Sequence, residues 1–261
     1  MNFNNQYRIF YFIILFCVPL SIYFAASMSL WWWLLGSFIW TKIINFIFLQ
    51  IGLHRYFAHD SFATTRFKHN LLAYGSLLTG HGSPITWSTH HLYHHRVSDE
   101  PNDLHSPRHG LWHTALFWPI KNEIYFSQER CVGYSPKRLV KDKNLLFIHK
   151  NYFIIWIALV ALLLVVDWRL ALYGLLAPAG WSVLHGNIVT NLLSHYKIPG
   201  SYRTFNTNDQ SYNNKYIQLF QFGEGLHNNH HHNMRDYNQA MLPGEWDPAA
   251  WVIDKFFKVI K

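Results

Sequence analysis

Eighteen of the 261 residues are histidine, several times an ordinary share by average usage, and the ones that matter are clustered. His54-Arg55-Tyr56-Phe57-Ala58-His59, His91-Leu92-Tyr93-His94-His95 and His227-Asn228-Asn229-His230-His231 form three groups, and His195 stands alone 32 residues before the last. Spacings of three and four place side chains on one helix face, which is what a metal ion needs from a single element. The spacing of five between His54 and His59 is different. On a regular helix it makes the two imidazoles diverge by about 140°, which suits two separate metals or a helix end followed by a turn. Eight or nine imidazoles exceed what one ion accepts, because first-row metals take four to six ligands; two metals are implied. Imidazole alone does not choose between Fe, Zn, Cu and Ni. No cluster contains cysteine, which argues against structural zinc. The scattered His69, His81, His105, His109, His113 and His149 read as capping, interfacial or hydrogen-bonded residues.

The elements that must position these clusters are apolar runs. Four reach or approach the roughly 20 residues that cross a bilayer: about 10–26, 30–53, 152–166 and 170–194. The first and third are a little short, while the second and fourth are long enough to tilt. The first does not read as a cleaved leader, because the next run follows almost at once and only Arg8 precedes it. Ser27-Met28-Ser29 and Asp167-Trp168-Arg169 join the runs in pairs, with Trp31, Trp32, Trp33 and Trp168 at the same ends, where an aromatic belt belongs. Arg8, the twelve Lys/Arg of 53–150 and the seven of 195–261 make 20 of the 22 basic residues. Their shared side is the cytoplasm by the positive-inside rule. A shorter apolar stretch around 71–78 is too short to span and reads as interfacial or re-entrant. The expectation is one all-α membrane domain over 1–261. Four spans form two hairpins, and a cytoplasmic helical cap (54–150 and 195–261) carries the histidines.

Composition closes other routes. Charged residues are 14% of the chain, against roughly 25% in a soluble domain. Twenty Phe, fifteen Tyr and twelve Trp exclude a disordered coil. Cys17 lies in an apolar run and Cys131 in a polar loop, so no disulfide framework is expected. The formal charge of +8 fits membrane orientation and anionic head groups; with no nucleic-acid motif present, no nucleic-acid partner is expected.

The clusters and their flanks resemble the integral-membrane fatty acyl desaturases, the family of stearoyl-CoA desaturase and the bacterial Δ9 enzymes. Gly52-Leu53-His54-Arg55 and Ala58-His59 match that family's first box. Trp87 matches the Trp before the second box, which favours His91 over His90. Ser98-Asp99, Asp103, His105, Arg108 and Gly110 follow the pattern downstream, although the usual Asp-Pro-His reads Asp103-Leu104-His105. Asn191 and His195 resemble the Asn-xxx-His at the end of the fourth span. Asp209, Ser211 and Asn214, then Gly223-Glu224-Gly225-Leu226-His227-Asn228-Asn229-His230-His231, complete the match. His232 departs from the pattern and leaves a register of His227, His231 and His232 open.

The resemblance implies two irons, Fe2+ in the resting reduced form, ligated by His54, His59, His91, His94, His95, His195, His227, His230 and His231, with Asn191 holding a metal-bound water. It implies O2 as oxidant and a fatty acyl substrate on CoA, acyl carrier protein or a lipid ester. Nine His and one water would fill ten of about twelve positions on two six-coordinate ions. The chain has no complete GxGxxG and no cysteine set for an iron–sulfur cluster. A separate electron donor, a ferredoxin or cytochrome b5-like protein, is therefore expected, steered by the basic face. A multi-pass protein of a bacterial inner membrane with both termini and active site cytoplasmic follows. An alkyl hydroxylase would use the same machinery, but the Δ9-type flanks favour desaturation. A metal transporter would hold its ligands near the bilayer midplane rather than at span ends. Finally, Lys42 and His185 are ionisable residues inside apolar runs. They lie twelve and ten residues before His54 and His195, about 18 and 15 Å away if helical, and are candidates for the closed end of an acyl tunnel.

Overall fold

The computed structural model describes residues 3–121 and 135–259; Cys131 falls outside them. Helix α1 (Phe3–Ser27) and helix α2 (Trp31–Ala58) are the first two apolar runs, joined by three residues. From Asn45 onward α2 is wound as a π-helix, so His54 lies inside the element and His59 caps its end. Helix α3 (Arg66–Gly75) carries the short apolar stretch and ends in a 3-10 turn, Ser76–Thr79. Helix α4 (Pro84–Val97) bears the second cluster. Its start is set by Pro84 in the first turn and by Ser83, whose Oγ accepts the Thr86 N–H.

Helix α5 (Lys143–Lys150) is capped by Asp142, which accepts the N–H groups of Asn144 and Leu145. It meets helix α6 (Tyr152–Val166) at a bend of 70°. Helix α7 (168–192) follows after Asp167 alone. The connection is shorter than Asp167-Trp168-Arg169 because the Asp167 carboxylate caps the helix, accepting the Arg169 N–H at 2.9 Å. A 3-10 turn, Leu193–His195, continues α7. Beyond it come a two-residue antiparallel pairing of Ser201–Tyr202 with Asn213–Asn214, helix α8 (Lys215–Gln221), helix α9 (His227–His232) and a helix over 248–257.

Among the described residues, two helical stretches are long and apolar enough to cross a membrane, Gln6–Ser27 and Trp31–Ala58; α5 and α6 make a third if the bent pair is one span. Helix α7 is as long but more polar, carrying Gly174, Gly180, His185, Asn187 and Asn191.

The helices pack through small residues and a few buried polar ties. Gly180 of α7 lies against the backbone of α1: a Cβ there would sit 2.2 Å from the Ile14 carbonyl oxygen. Tyr173 donates to the Ser21 carbonyl at 2.9 Å, and Trp40 of α2 donates to the Gly174 carbonyl at 3.0 Å. The core runs from Tyr11 and Ile14 through Leu53, Phe57 and Leu72 to Tyr152 and Trp156. Arg55, fully buried, ties the end of α2 to the tail: its guanidinium donates to Asp247 (2.8 Å) and to the carbonyls of Tyr237 (2.6 Å) and Gly223 (3.2 Å). A buried ion of this kind persists only when it is paired and hydrogen-bonded.

Candidate metal centre

The π-winding of α2 decides where the first cluster points. The His59 N–H donates to the His54 carbonyl at 3.2 Å, an i→i+5 bond. That bond brings two residues five apart onto one face, and the imidazole centroids lie 4.9 Å apart. The divergence expected on a regular helix is thereby removed, and both side chains enter the same group. On α4, His91 and His95 are one turn apart and share a face, while His94 points to the neighbouring side. On α9, His230 lies on one side and His227 and His231 on the other. The 3-10 turn after α7 delivers His195.

Two groups of ring nitrogens result: His54, His59, His91, His95 and His230 in one, and His94, His195, His227 and His231 in the other, the atoms of each lying within 4.8 Å of one another. In the first group the Nε2 atoms approach at 2.7 Å (His59–His91), 3.0 Å (His91–His95), 3.0 Å (His95–His230) and 2.9 Å (His54–His230). In the second, His195 and His227 face each other Nε2 to Nε2 at 3.0 Å. The groups are adjacent, with the rings of His95 and His231 4.5 Å apart. Helices α4 and α9 each contribute to both. These nine are the histidines named from the sequence.

Four carboxylates stand behind the rings. Glu224 meets His54 Nδ1 at 2.8 Å, Asp103 meets His94 Nδ1 at 3.0 Å, Asp99 meets His195 Nδ1 at 2.8 Å and Asp209 meets His231 Nδ1 at 2.7 Å. Each acid is itself anchored. Asp99 also accepts from Ser106 Oγ and the Gln210 N–H, and Asp103 accepts the Asp99 N–H. Burial raises the carboxyl pKa of Asp99, but the hydrogen bond and charge of His195 outweigh it and bring the group down to about 2. Asp103 and Asp209 are likewise buried, yet their histidine partners hold them well below the usual carboxylate range. Burial, reinforced by neighbouring imidazoles, pushes His91, His95, His227 and His230 well below the ordinary histidine range. The ring of His91 is further fixed by Trp87, stacked at 4.5 Å and 18°.

This donor set fits metal ions. A carboxylate facing Nδ1 accepts a hydrogen bond from its N–H, so Nε2 of His54 and of His195 carries a lone pair that faces another Nε2 at about 3 Å. Lone pairs so opposed repel unless a cation or proton lies between them. Two ligands at right angles on an ion with bonds of about 2.1 Å stand about 3 Å apart, which matches the spacings seen. Nε2 of His231 is buried without a protein partner among the described residues, as a ligand atom awaiting an ion would be. With nine imidazoles and no thiolate, the set suits iron and other first-row ions.

Four histidines outside the two groups have ordinary partners. His69 pairs with Tyr56 OH (3.0 Å), His109 with the Asp103 carbonyl (2.9 Å), His113 with the Leu104 carbonyl (3.0 Å) and His149 with Ser83 Oγ (2.8 Å). His105 is closer to the centre than its reading as an isolated residue implied: it packs on His94, with centroids 4.4 Å apart, beside Asp103. His232 stacks on Phe205 at 3.8 Å, away from both groups. His90 is in neither group, whereas His91 is in the first.

A cavity opens from the centre along α2 and α7. It is lined by His54, His91, His94 and His227 and by Gln50, Thr190, Asn191, His81, His185 and Gly186. His185 is thus on the cavity. Lys42 does not line it; its ammonium sits 3.2 Å from the centre of the Phe220 ring, and that ring lies 5.5 Å from His185. Sequence reasoning placed Asp99, Asp103, Asp209 and Glu224 in a matching pattern but gave them no role. Their spacing from the histidines they hold, up to 170 residues (54 to 224), leaves no local signal.

Comparison with known proteins points the same way. A family model described as "Fatty acid desaturase" matches residues 30–241. The chain is 31% identical over 240 residues to "Delta-9 acyl-lipid desaturase 2" of Arabidopsis thaliana, covering 85% of this chain and 74% of that one. It is 30% identical to "Hex-5-enoyl-[acyl-carrier protein] acetylenase" of Moorena producens (94% and 79% covered), and 30% identical to "Icosanoyl-CoA 5-desaturase" of Limnanthes douglasii (82% and 57% covered). With the family's histidine pattern and a match over most of its length, the chain belongs to the fatty acid desaturase family and is an oxidoreductase of that kind.

Proposed function

We propose that this enzyme introduces a cis double bond, at the Δ9 position, into a saturated acyl chain, using O2, two irons and electrons from a separate donor. The observation that carries the reading is the pair of adjacent all-imidazole groups, members of both of which line one cavity. His54, His59, His91, His95 and His230 would hold one iron, and His94, His195, His227 and His231 the other. Asn191, which lines the cavity beside them, would hold a metal-bound water. Iron and O2 together supply the oxidising power that an unactivated methylene demands and that no side-chain acid or base provides. The chain's own residues do the rest. Glu224, Asp103, Asp99 and Asp209 hold protons at Nδ1 and aim Nε2 inward. The cavity walls orient the acyl chain so that one carbon pair lies beside the centre, which is where positional selectivity arises.

The acyl carrier is CoA, acyl carrier protein or a lipid, the three carriers that occur in the names of its relatives. The donor is a ferredoxin or cytochrome b5-like protein drawn to the basic face. In the membrane, α1, α2, α6 and α7 would form four spans with the centre and both termini cytoplasmic, in a bacterial inner membrane; terminal reporter fusions reading periplasmic would contradict this.

Expression in a host lacking this activity, with a competent donor and double-bond location in the extracted fatty acids, tests the reading. A new cis-Δ9 product supports it, and an unchanged lipid profile overturns it. In the same assay Lys42→Ala and His185→Leu should shift the preferred chain length without moving the double bond from the carboxyl end. Lys42 would act through Phe220, which it holds against His185. Unchanged length preference in both variants would remove these residues from the tunnel.

A further inference from the structure

The nine histidines are backed unequally. In the group of four, three rings meet a carboxylate at Nδ1: His94 meets Asp103 at 3.0 Å, His195 meets Asp99 at 2.8 Å and His231 meets Asp209 at 2.7 Å. In the group of five only His54 does, with Glu224 at 2.8 Å. Among the described residues no other carboxylate pairs with that group, and Nδ1 of His59 and of His230 is buried there without a partner.

The surroundings of the acids widen the difference. Arg55 lies 3.4 Å from Glu224 Oε1, so the one acid behind the group of five shares its charge with a buried cation. That cation also pairs with Asp247 at 2.8 Å. The three aspartates are held instead by neutral donors. Asp99 accepts from Ser106 Oγ and the Gln210 N–H, Asp103 from the N–H groups of Asp99 and His105, and Asp209 from the hydroxyls of Thr207 and Ser211. Arg108 and Arg203 donate to the backbone carbonyls of Asp99 and Asp209. No guanidinium or ammonium pairs with the three carboxylates among the described residues. The ligands therefore stand in different fields: Asp103, Asp99 and Asp209 all favour positive charge at His94, whereas Arg55 opposes it at His59.

An ion passing from Fe2+ to Fe3+ gives up one electron and gains one positive charge. The imidazoles are neutral in both states, so the added charge is answered by what stands behind them. Three carboxylates without a cation answer it in one group, and one shared with Arg55 in the other. We propose that the two positions differ in the ion charge they stabilise: the group of four holds the ferric ion and the group of five the ferrous one. Taking one electron from the diferrous centre then leaves the added charge among His94, His195, His227 and His231. Conversely, the first electron that an external donor gives to the diferric centre ends among His54, His59, His91, His95 and His230. Asp99, Asp103 and Asp209 are positioning residues that set the lower potential, and Glu224 with Arg55 sets the higher one. The proposal rests on the two-iron reading and gives the two irons different parts in it.

The test uses the full chain purified in mild detergent and loaded anaerobically with a Mössbauer-active iron isotope. Samples are poised at stepped potentials with soluble mediators, and the spectra give the ferric and ferrous fractions. At half oxidation the wild type should show separate ferric and ferrous signals in equal amount; a single averaged signal overturns the proposal. Asp99→Asn, Asp103→Asn and Asp209→Asn should each raise the lower of two one-electron steps by about 59 mV, a tenfold change in the ferric-to-ferrous ratio, and move the upper step less. Glu224→Gln should raise the upper step and leave the lower. Arg55→Gln should lower the upper step, because it removes a cation and not an anion; loosened packing does not reverse the sign. Each variant is read at full iron load, reached with excess Fe2+. Aspartate variants that move both steps equally, or Glu224 and Arg55 variants that move the lower step, overturn the proposal while the desaturase reading stands. A wild-type chain that binds fewer than two irons overturns both.

Discussion

A histidine ligand is useful only when one nitrogen is committed elsewhere. His54, His94, His195 and His231 each meet a carboxylate at Nδ1, so their Nε2 lone pairs point inward in a fixed tautomer and orientation. Replacing any one of the nine histidines by Ala should abolish product while the chain still inserts into the membrane, since insertion follows hydrophobicity. Replacing a carboxylate should act one step removed: Glu224→Gln or Asp99→Asn should weaken iron binding or activity about 10–100-fold. Iron titration of the purified variants checks this, and wild-type affinity in both would contradict the role of the acids. The nine histidines were legible because their spacing and flanks are local. That Glu224 belongs to His54 was not, because the pairing exists only after the tail folds back onto α2, drawn there also by the Arg55 pairing with Asp247.

At the scale of elements, helix geometry decides which histidines meet. A five-residue spacing fails on a regular helix and succeeds on the π-wound end of α2, where the His59 N–H reaches the His54 carbonyl. Hydrophobic patterning does not reveal that winding, because an apolar stretch reads alike in either form. The same blindness applied to the start of α7, which a side-chain cap at Asp167 fixes. The apolar runs were legible as helices, since the structure is helical over all four. Their packing depends on close approach at small residues. Gly180→Leu should force α1 from α7, because its Cβ would fall 2.2 Å from the Ile14 carbonyl oxygen; overpacking of this kind costs about 1–3 kcal/mol or more. Gly36→Ala, where a Cβ meets nothing within 4 Å, is the matched control. Thermal melting in detergent should drop for the first and not the second; equal melting would contradict the packing account.

At the scale of the molecule, two separate segments of short helices and loops complete the histidine groups, and both are needed. The segment before α6 supplies His91, His94 and His95, and the tail supplies His227, His230 and His231. Neither segment holds a complete group alone, so an ion between them would join the two parts of the chain. Composition and charge made the membrane class legible; that polar residues of α2 and α7 line one cavity was not, since no one-dimensional pattern displays it. The central claim is that the nine histidines form two metal positions rather than one, filled by iron. Metal analysis of the full chain purified from membranes in mild detergent addresses it directly. Two irons per chain, with zinc at trace level, is the result predicted; a single metal per chain, or zinc in place of iron, would contradict it.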